Sequence, residues 1–503
     1  MRWSYLPPLL VYVAFGIQGL TGIVGTFFVK DYLDLSAAFL AALGFWSGIP
    51  WAMKMPVGHA VDLLWRWKAA LVWVGAAMLA ASLLIILGLI SHMDAMRAVM
   101  SPERWYVIAA LLSPTGYMLQ DAVADAMTVE AVPRVDERGR PYSEAERKSM
   151  HTTMQTLGRV AVIGGLALVS IANVWIFQGT EGLPPAEKAR LYADVYTWAL
   201  VIPVLSVLGV ILHHFVKHER PATEPTRPNW AVLGGSLAFV VATLAVGVGG
   251  LPYAQELIFA VSLAIIVFLL WRLARELASE AREVLVATAA ILFVFRAMPG
   301  TGAASTWWMI DVLGFDESFQ AKLSLVAYFL TLAGMFALRR YMAQTPLWKI
   351  VVMLTIAGTV LALPNIGMYY GLHEWTARHT GGLVDARTIA LIDTALESPL
   401  GQIAMIPMLA WIANSAPASL KATYFAVMAS FTNLALSAAT LGTRYLNEVF
   451  VVTRQVLDRG TGAVKVPQDY SELGFLMISA TAIGFALPLL VVLVARKLNL
   501  RTA

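Results

Sequence analysis

Cysteine is absent from all 503 residues. No disulfide, reactive thiolate or thiolate-ligated metal is possible, and the redox compartment cannot be read from cysteine usage. Charge is also scarce: Asp, Glu, Lys and Arg make up 14% of the chain, against roughly 25% in soluble domains. The Lys and Arg behind the net charge of +4 are dispersed. They form no basic block and no basic patch interleaved with aromatics, which argues against a nucleic-acid partner. Phosphate-binding glycine loops, metal-ligand spacings and nucleophile elbows are missing too. The expectation is a chain with no cofactor and no enzymatic activity.

What the chain has in abundance is apolar sequence, with 59% hydrophobic residues and a mean hydropathy of +0.69. A bilayer core of ~30 Å takes ~20 apolar residues per helix, and stretches of that size recur between short polar breaks. The short alternating segments of a membrane barrel do not occur. The fold class is therefore an all-α polytopic membrane protein. Helices are expected at 8–30, 37–57, 69–91, 104–130, 148–174, 194–216, 230–250, 254–277, 284–310, 320–341, 348–371, 388–412, 420–446 and 473–495, about 14 in all. The first apolar stretch begins near Leu6 with only Arg2 ahead of it and no small-residue cleavage site after it, so it reads as a retained helix. With both termini cytoplasmic, most loop Lys and Arg fall on the cytoplasmic side, as the positive-inside rule requires. The expected location is the inner (plasma) membrane.

The natural partition is a six-helix bundle at 1–216, a linker with two inserted helices at 217–283 and a second six-helix bundle at 284–503. The segment Leu391 to Ala435 weakly repeats the fourth helix, its loop and the fifth. Parallel six-helix repeats are a transporter plan that binds substrate near the midplane between halves. The inserted pair is expected at the periphery.

Charges deep in apolar helices need explaining, because an ionised side chain there is expensive unless it faces a partner or a cavity or carries a proton. Asp121 and Asp125 share a helix face with Tyr117, about 14 Å and 8 Å in from Glu130. They are candidates for proton coupling, and the plain alternative is a structural salt bridge to Arg159. His151, Gln155 and Arg159 form one polar stripe, with Arg159 ~16 Å beyond Lys148. Its planar, permanently charged fork suits a carboxylate. Arg296 is the second deep cation, followed by Pro299, Gly300 and Gly302, which can break a helix and free backbone groups to line a cavity. Trp307 and Trp308 come next, suited to stacking on a flat ligand or, more simply, to anchoring the outer interface. In the first helix, Gly16, Gly19, Gly22 and Gly25 suit close packing, with Gln18 among them. Arg159, Arg296, Gln18, Gln155 and Trp307 are the candidate substrate contacts. Asp393 and Glu397 also share a face, but near the outer entrance, where solvation explains them.

After the second helix, Gly58, Asp62, Arg66 and Lys68 resemble a degraded loop motif of the major facilitator superfamily. There a glycine permits close helix approach while an acid and bases lock the cytoplasmic gate. Several stretches together resemble the folate-biopterin transporter family of that superfamily: Gly16 to Ser36, Gly48 to Asp62 with Pro50, Trp51 and Lys54, Leu119 to Ala131, Arg296 to Phe315, and Ile403 to Ala435. The fold this resemblance implies is a major facilitator-type fold. The activity it implies is secondary active symport of a folate- or biopterin-like pteridine or similar small organic anion, driven by protons. By position, Gln18, Lys30 and Asp31 fall in the first element, Lys54 and Asp62 in the second, and Asp121 and Asp125 in the third. Lys54, Asp62 and Arg66 are the candidate gating residues. The turn after Asp62 departs from the family pattern, since Leu63 leads directly to Trp65, Arg66 and Lys68. The partners implied are a small-molecule substrate, protons and the lipid bilayer. The competing readings are a muropeptide or other solute permease of the same superfamily, and a non-transporting membrane assembly or cofactor-delivery factor on this fold.

Overall fold

Hydrocarbon offers a backbone no water to bond with, so each apolar stretch closes its hydrogen bonds internally as a helix. The computed structural model describes residues 3–33, 35–52, 57, 61, 67–133, 136, 140–180, 183–215, 230, 234, 241, 253–275, 277, 279–401, 403, 405, 407–408, 421–457 and 464–502. The expected helix at 230–250 lies almost wholly outside the described residues, as do the gating candidates Lys54, Asp62 and Arg66.

In chain order the main helices are α1 (Leu6–Ile17), α2 (Gly22–Tyr32), α3 (Ala37–Ala52), α4 (Lys68–Ser91), α5 (Pro102–Ala131), α6 (Glu144–Ile176), α7 (Pro185–Ala199) and α8 (Val201–Phe215). Then come α9 (Ala254–Ala274), α10 (Ser279–Arg296), α11 (Ala303–Asp311), α12 (Glu317–Ala337), α13 (Leu347–Tyr369), α14 (Leu372–His379), α15 (Ala386–Glu397), α16 (Lys421–Val449) and α17 (Leu473–Lys497). Among the described residues, nine helical stretches are long and apolar enough to cross a membrane.

Their starts follow the local chemistry. Ser101 caps α5 ahead of Pro102, and Ser143 forms a capping box with Glu146 at the start of α6. Asp316 caps α12, and Asp385 caps α15 by accepting from the Thr388 amide at 2.8 Å.

Three helices differ from expectation. The first is interrupted by a 3-10 turn, Gln18–Thr21, between α1 and α2. The stretch 284–310 is two helices, because residues 297–302 leave the helix at Pro299 and Gly302 takes a left-handed φ of +62°. In the stretch 388–412, regular α-helix gives way after Glu397 to the 3-10 turn Ser398–Leu400. Between α16 and α17, where no helix is expected, β1 (Val456–Leu457) pairs antiparallel with β2 (Val464–Val466) as a hairpin.

Contacts group the chain into two compact units, Met1–Thr26 with Pro56–Ser236, and Phe27–Met55 with Leu237–Ala503. In the first, α1 packs on α6 and α8, and α4 on α5. Backbones touch where glycines meet. A Cβ on Gly16 would collide with the Val162 carbonyl and lie 2.9 Å from the Gly165 Cα, and one on Gly75 would lie 2.6 Å from the Gly116 oxygen. Such small-residue crossings are how helices associate where lipid removes the hydrophobic drive. In the second unit, α3 packs on α16, α13 on α17 and α12 on α15, while the inserted helix α9 lies against α16 and α3. Outward faces stay apolar: Val201, Val204, Leu208 and Ile211 form an exposed stripe on α8, with Ile202, Ser206 and Val210 buried on its other side. That pattern belongs in lipid.

Candidate functional site

The first unit brings together the charges that stand out in its sequence. The Gly16–Gly165 crossing draws α1 onto α6, so that Tyr12, one turn before Gly16, lies against Gly158, where a Cβ would come 2.9 Å from its ring. From there the Tyr12 hydroxyl donates to Asp125 Oδ1 at 2.6 Å. Asp125, Asp121 and Arg159 all exert their charge on the Tyr12 phenol, so the four side chains share one electrostatic neighbourhood. Tyr12 is buried, and Asp121, Asp125 and Arg159 are half-buried. A guanidinium in such a cluster offers its planar fork to a carboxylate of the chain or to an incoming anion.

Neighbouring polar residues have other jobs. Buried Gln120 accepts from Ser206 Oγ at 3.0 Å and donates to the Val72 carbonyl at 3.4 Å, tying α5 to α8 and α4. Gln18 is half-buried in the 3-10 turn after α1. The side chains of Gln155 and His151 lie outside the described residues.

In the second unit, Arg296 is the last residue of α10, and its Nε donates to the Thr432 carbonyl on α16 at 3.2 Å. The break after it is held by the same helix. The Gly300 amide donates to Thr443 Oγ1 at 2.9 Å, and Asn447 Nδ2 donates to the Thr301 carbonyl at 3.3 Å. Trp307 and Trp308 are 2% and 4% exposed and pack in an apolar cluster with Phe315 and Phe319. This corrects the interfacial-anchor expectation for the pair. The Arg454 guanidinium covers the Trp307 ring at 4.6 Å from its centroid.

A second polar network surrounds that tryptophan. Arg454, just ahead of β1 and 4% exposed, donates to the carbonyls of Lys30 at 2.6 Å, Leu35 at 2.5 Å and Val29 at 3.4 Å. The Lys30 ammonium pairs with Asp311 Oδ1 at 2.5 Å, both nearly inaccessible, and with Asp31 at 3.1 Å. The Tyr470 hydroxyl donates to Asp311 Oδ2 at 2.5 Å. Burial, and then the bond to Asp311, push the Tyr470 hydroxyl well above the usual phenol range. The network binds the end of α2, the end of α11 and the hairpin segment into one body.

Tyr12, Asp311, Arg454 and Tyr470 were not among the site residues expected from sequence. A tyrosine in an apolar helix carries no signal of its own. The hairpin did have one, since VTRQV and AVKV flank the turn-rich Asp458, Arg459, Gly460 and Gly462.

Comparison with known proteins gives the family and the fold. A family model described as the BT1 family matches residues 236–500. A folate-biopterin transporter from Synechocystis sp. is 23% identical over 436 residues, covering 86% of this chain and 72% of the relative. Among solved structures, an auto-inhibited POT family peptide transporter aligns at a TM-score of 0.61 and 13% identity, covering 100% of this chain and 98% of the other. The nucleoside transporter NupG aligns at a TM-score of 0.52 and 10% identity, covering 98% of each chain. The fold is of the major facilitator type.

Proposed function

The chain belongs to the BT1 family, and from that membership we propose that it is a proton-coupled secondary transporter. Its substrate is a folate- or biopterin-like pteridine or a similar small organic anion, moved across the inner membrane by alternating access. Both termini lie in the cytoplasm on this reading, in keeping with the distribution of Lys and Arg. Family membership makes it a multi-pass membrane transporter. The observation that supports the finer reading is the Tyr12, Asp121, Asp125 and Arg159 cluster of the first unit.

The cluster couples two fluxes by competition. With no substrate, Arg159 stabilises the charged aspartates. An anionic substrate that takes the guanidinium leaves a half-buried carboxylate without its cation, and that carboxylate then binds a proton. Tyr12 holds Asp125 in place through both states, donating to whichever oxygen lacks the proton. Arg296, Gln18 and Gln155 remain further substrate contacts on this proposal, whereas Trp307, buried in its apolar cluster beneath Arg454, serves packing instead. Lys54, Asp62 and Arg66 act at the cytoplasmic gate.

Reconstituted protein in liposomes tests the proposal. Labelled folate or biopterin accumulates when the outside is acid, and Asp125→Asn or Asp121→Asn cuts that accumulation at least about tenfold, the effect of losing ~1.4 kcal/mol of differential binding. Substrate exchange at equal pH survives in the same variants. Accumulation that ignores the pH gradient would refute proton coupling. Transport of muropeptides but not pterins would refute the substrate class.

A further inference from the structure

In the second unit a carboxyl group is buried without a cation. Asp393 on α15 is 8% exposed. Its Oδ2 accepts from Asn365 Nδ2 on α13 at 2.7 Å, while its Oδ1 is buried with no hydrogen-bond partner among the described residues. An ionised carboxylate left that way costs several kcal/mol, and a protonated one far less.

The backbone around it adds negative character. Asp393 lies seven residues into α15, about 10 Å along the axis, and Glu397, exposed, is one turn further. Directly afterwards Pro399, having no N–H, removes the helical donor to the Ala395 carbonyl. The Gly401 amide bonds to Ser398 at 3.2 Å in the 3-10 manner. This kink is a built feature. Thr331 Oγ1 donates to the Ser398 carbonyl at 3.0 Å, and Gly334 leaves room for Pro399, whose Cα would sit 2.6 Å from a Cβ there. No basic residue occupies the last turn of α15, where helix electrostatics favour one. Two acids and a kinked carbonyl ladder in its place suit a cation, and unwound carbonyls at such points hold coupling ions in other transporter folds.

Among the described residues Asp393 forms no ion pair. Of the elements packed against α15, α12 carries Glu317, Lys322, which is exposed, and Tyr328, half-buried; α13 carries Lys349 and Tyr369, and α14 carries His373, Glu374, Arg378 and His379. Tyr369 donates to the carbonyls of Tyr470 and Ser471. Asp393 instead bonds to Asn365 and exerts its influence on Glu397.

We propose that Asp393 is a proton-carrying carboxyl of the transport cycle, with Oδ1 as the atom that binds the proton. This rests on the proton-coupled reading above and adds a carrier in the second unit to the aspartates of the first. The step is the reversible conversion of carboxylate plus proton to carboxylic acid.

Infrared spectroscopy of the purified full chain tests it without any substrate. The wild type shows a protonated-carboxyl band that disappears at alkaline pH. Asp393→Asn loses that band, while Asp121→Asn and Asp125→Asn keep it. An unchanged band in Asp393→Asn overturns the proposal. Should Asp393→Asn not fold, Asn365→Ala keeps the carboxyl but removes its donor and must displace the band, and an undisplaced band overturns it equally. Replacing choline chloride with sodium chloride separates proton from metal ion. Thermal stabilisation by sodium that vanishes in Asp393→Asn makes this a sodium site and overturns the proton assignment. Loss of pterin transport with the Asp393 band intact refutes only the substrate reading, and coupled transport without the band refutes only Asp393.

Discussion

At Gly16 a single hydrogen in place of a side chain lets α1 touch α6, one turn along from the Tyr12 that bonds Asp125. Gly16→Ala pushes a methyl into the Val162 carbonyl and the Gly165 backbone, an overpacking defect of about 1–3 kcal/mol or more. Gly164→Ala, next to the crossing, meets nothing within 4 Å and is expected to be neutral. Thermal unfolding of the two variants in detergent checks the contrast. Tyr12→Phe removes the hydroxyl and leaves the ring against Gly158. It is expected to lower thermal stability by ~1.5–3 kcal/mol, the worth of a bond to a charged group, and to displace the pH profile of uptake. Asp121, Asp125 and Arg159 were legible in the sequence because charge is anomalous in an apolar run. Tyr12 was not, since its ring satisfies the hydrophobic pattern and its hydroxyl shows its purpose only when a partner appears from another helix. Asp393 illustrates the converse: it was noticed, and its apparent closeness to the outer entrance suggested solvation, whereas packing of α12 and α13 buries it.

Among the elements, the helix starts were written in local chemistry and the breaks were only half so. Pro299 and Gly302 pointed to the interruption between α10 and α11, yet hydropathy ran straight across it, because the broken turn stays apolar and borrows its hydrogen bonds from Thr443 and Asn447 on a helix far along the chain. At the start of α15 the Thr388 amide, donating to the Asp385 side chain, holds that carboxyl below its ordinary range. A lowered value means that the cap stabilises fully above the ordinary carboxylate range and weakens as pH falls through the lowered value. Asp385→Ala is therefore expected to cost about 1 kcal/mol near neutral pH, with the gap from wild type closing only in strong acid, as thermal melts across pH will show. Asp385→Asn keeps a capping oxygen and loses less. The hairpin segment offers a sharper test. Arg454→Ala removes the side-chain donor to the carbonyls of Val29, Lys30 and Leu35, and Arg454→Lys does not rescue it, because a point charge cannot fork to three acceptors. Since the chain has no cysteine of its own, a single cysteine replacing Leu35 reports the result. Its labelling by a membrane-impermeant maleimide is slow with Arg454 present and at least about tenfold faster in Arg454→Ala, one tenfold step being ~1.4 kcal/mol of opening.

For the molecule as a whole, composition and run length settled the class, and most helix positions followed, because a bilayer admits few alternatives. The resemblance to the folate-biopterin transporters was carried by short stretches such as Leu119 to Ala131, and membership of the BT1 family agrees with it. The long-range ties were not legible: Lys30 with Asp311 and Arg454 with the end of α2 join residues whose local sequences do not mention each other. If the substrate is a pterin, folate at a hundred times its dissociation constant is expected to stabilise the purified protein by about 2.7 kcal/mol. A rise in melting temperature with folate, unmatched by muropeptides or amino acids, is the measurement.

The Arg454 clasp also sets a clock on biogenesis. Its guanidinium bonds to a carbonyl 424 residues earlier in the chain, so the first membrane-crossing stretch is inserted with its C-terminal end unfinished. At synthesis rates of about 5–20 residues per second, that end waits roughly twenty seconds to over a minute for its partner. During the wait Lys30 has no Asp311, and its carbonyl lacks the Arg454 donor. A ribosome-stalled chain ending before the hairpin is therefore the form that quality-control proteases are expected to recognise, and the completed chain is the form they release.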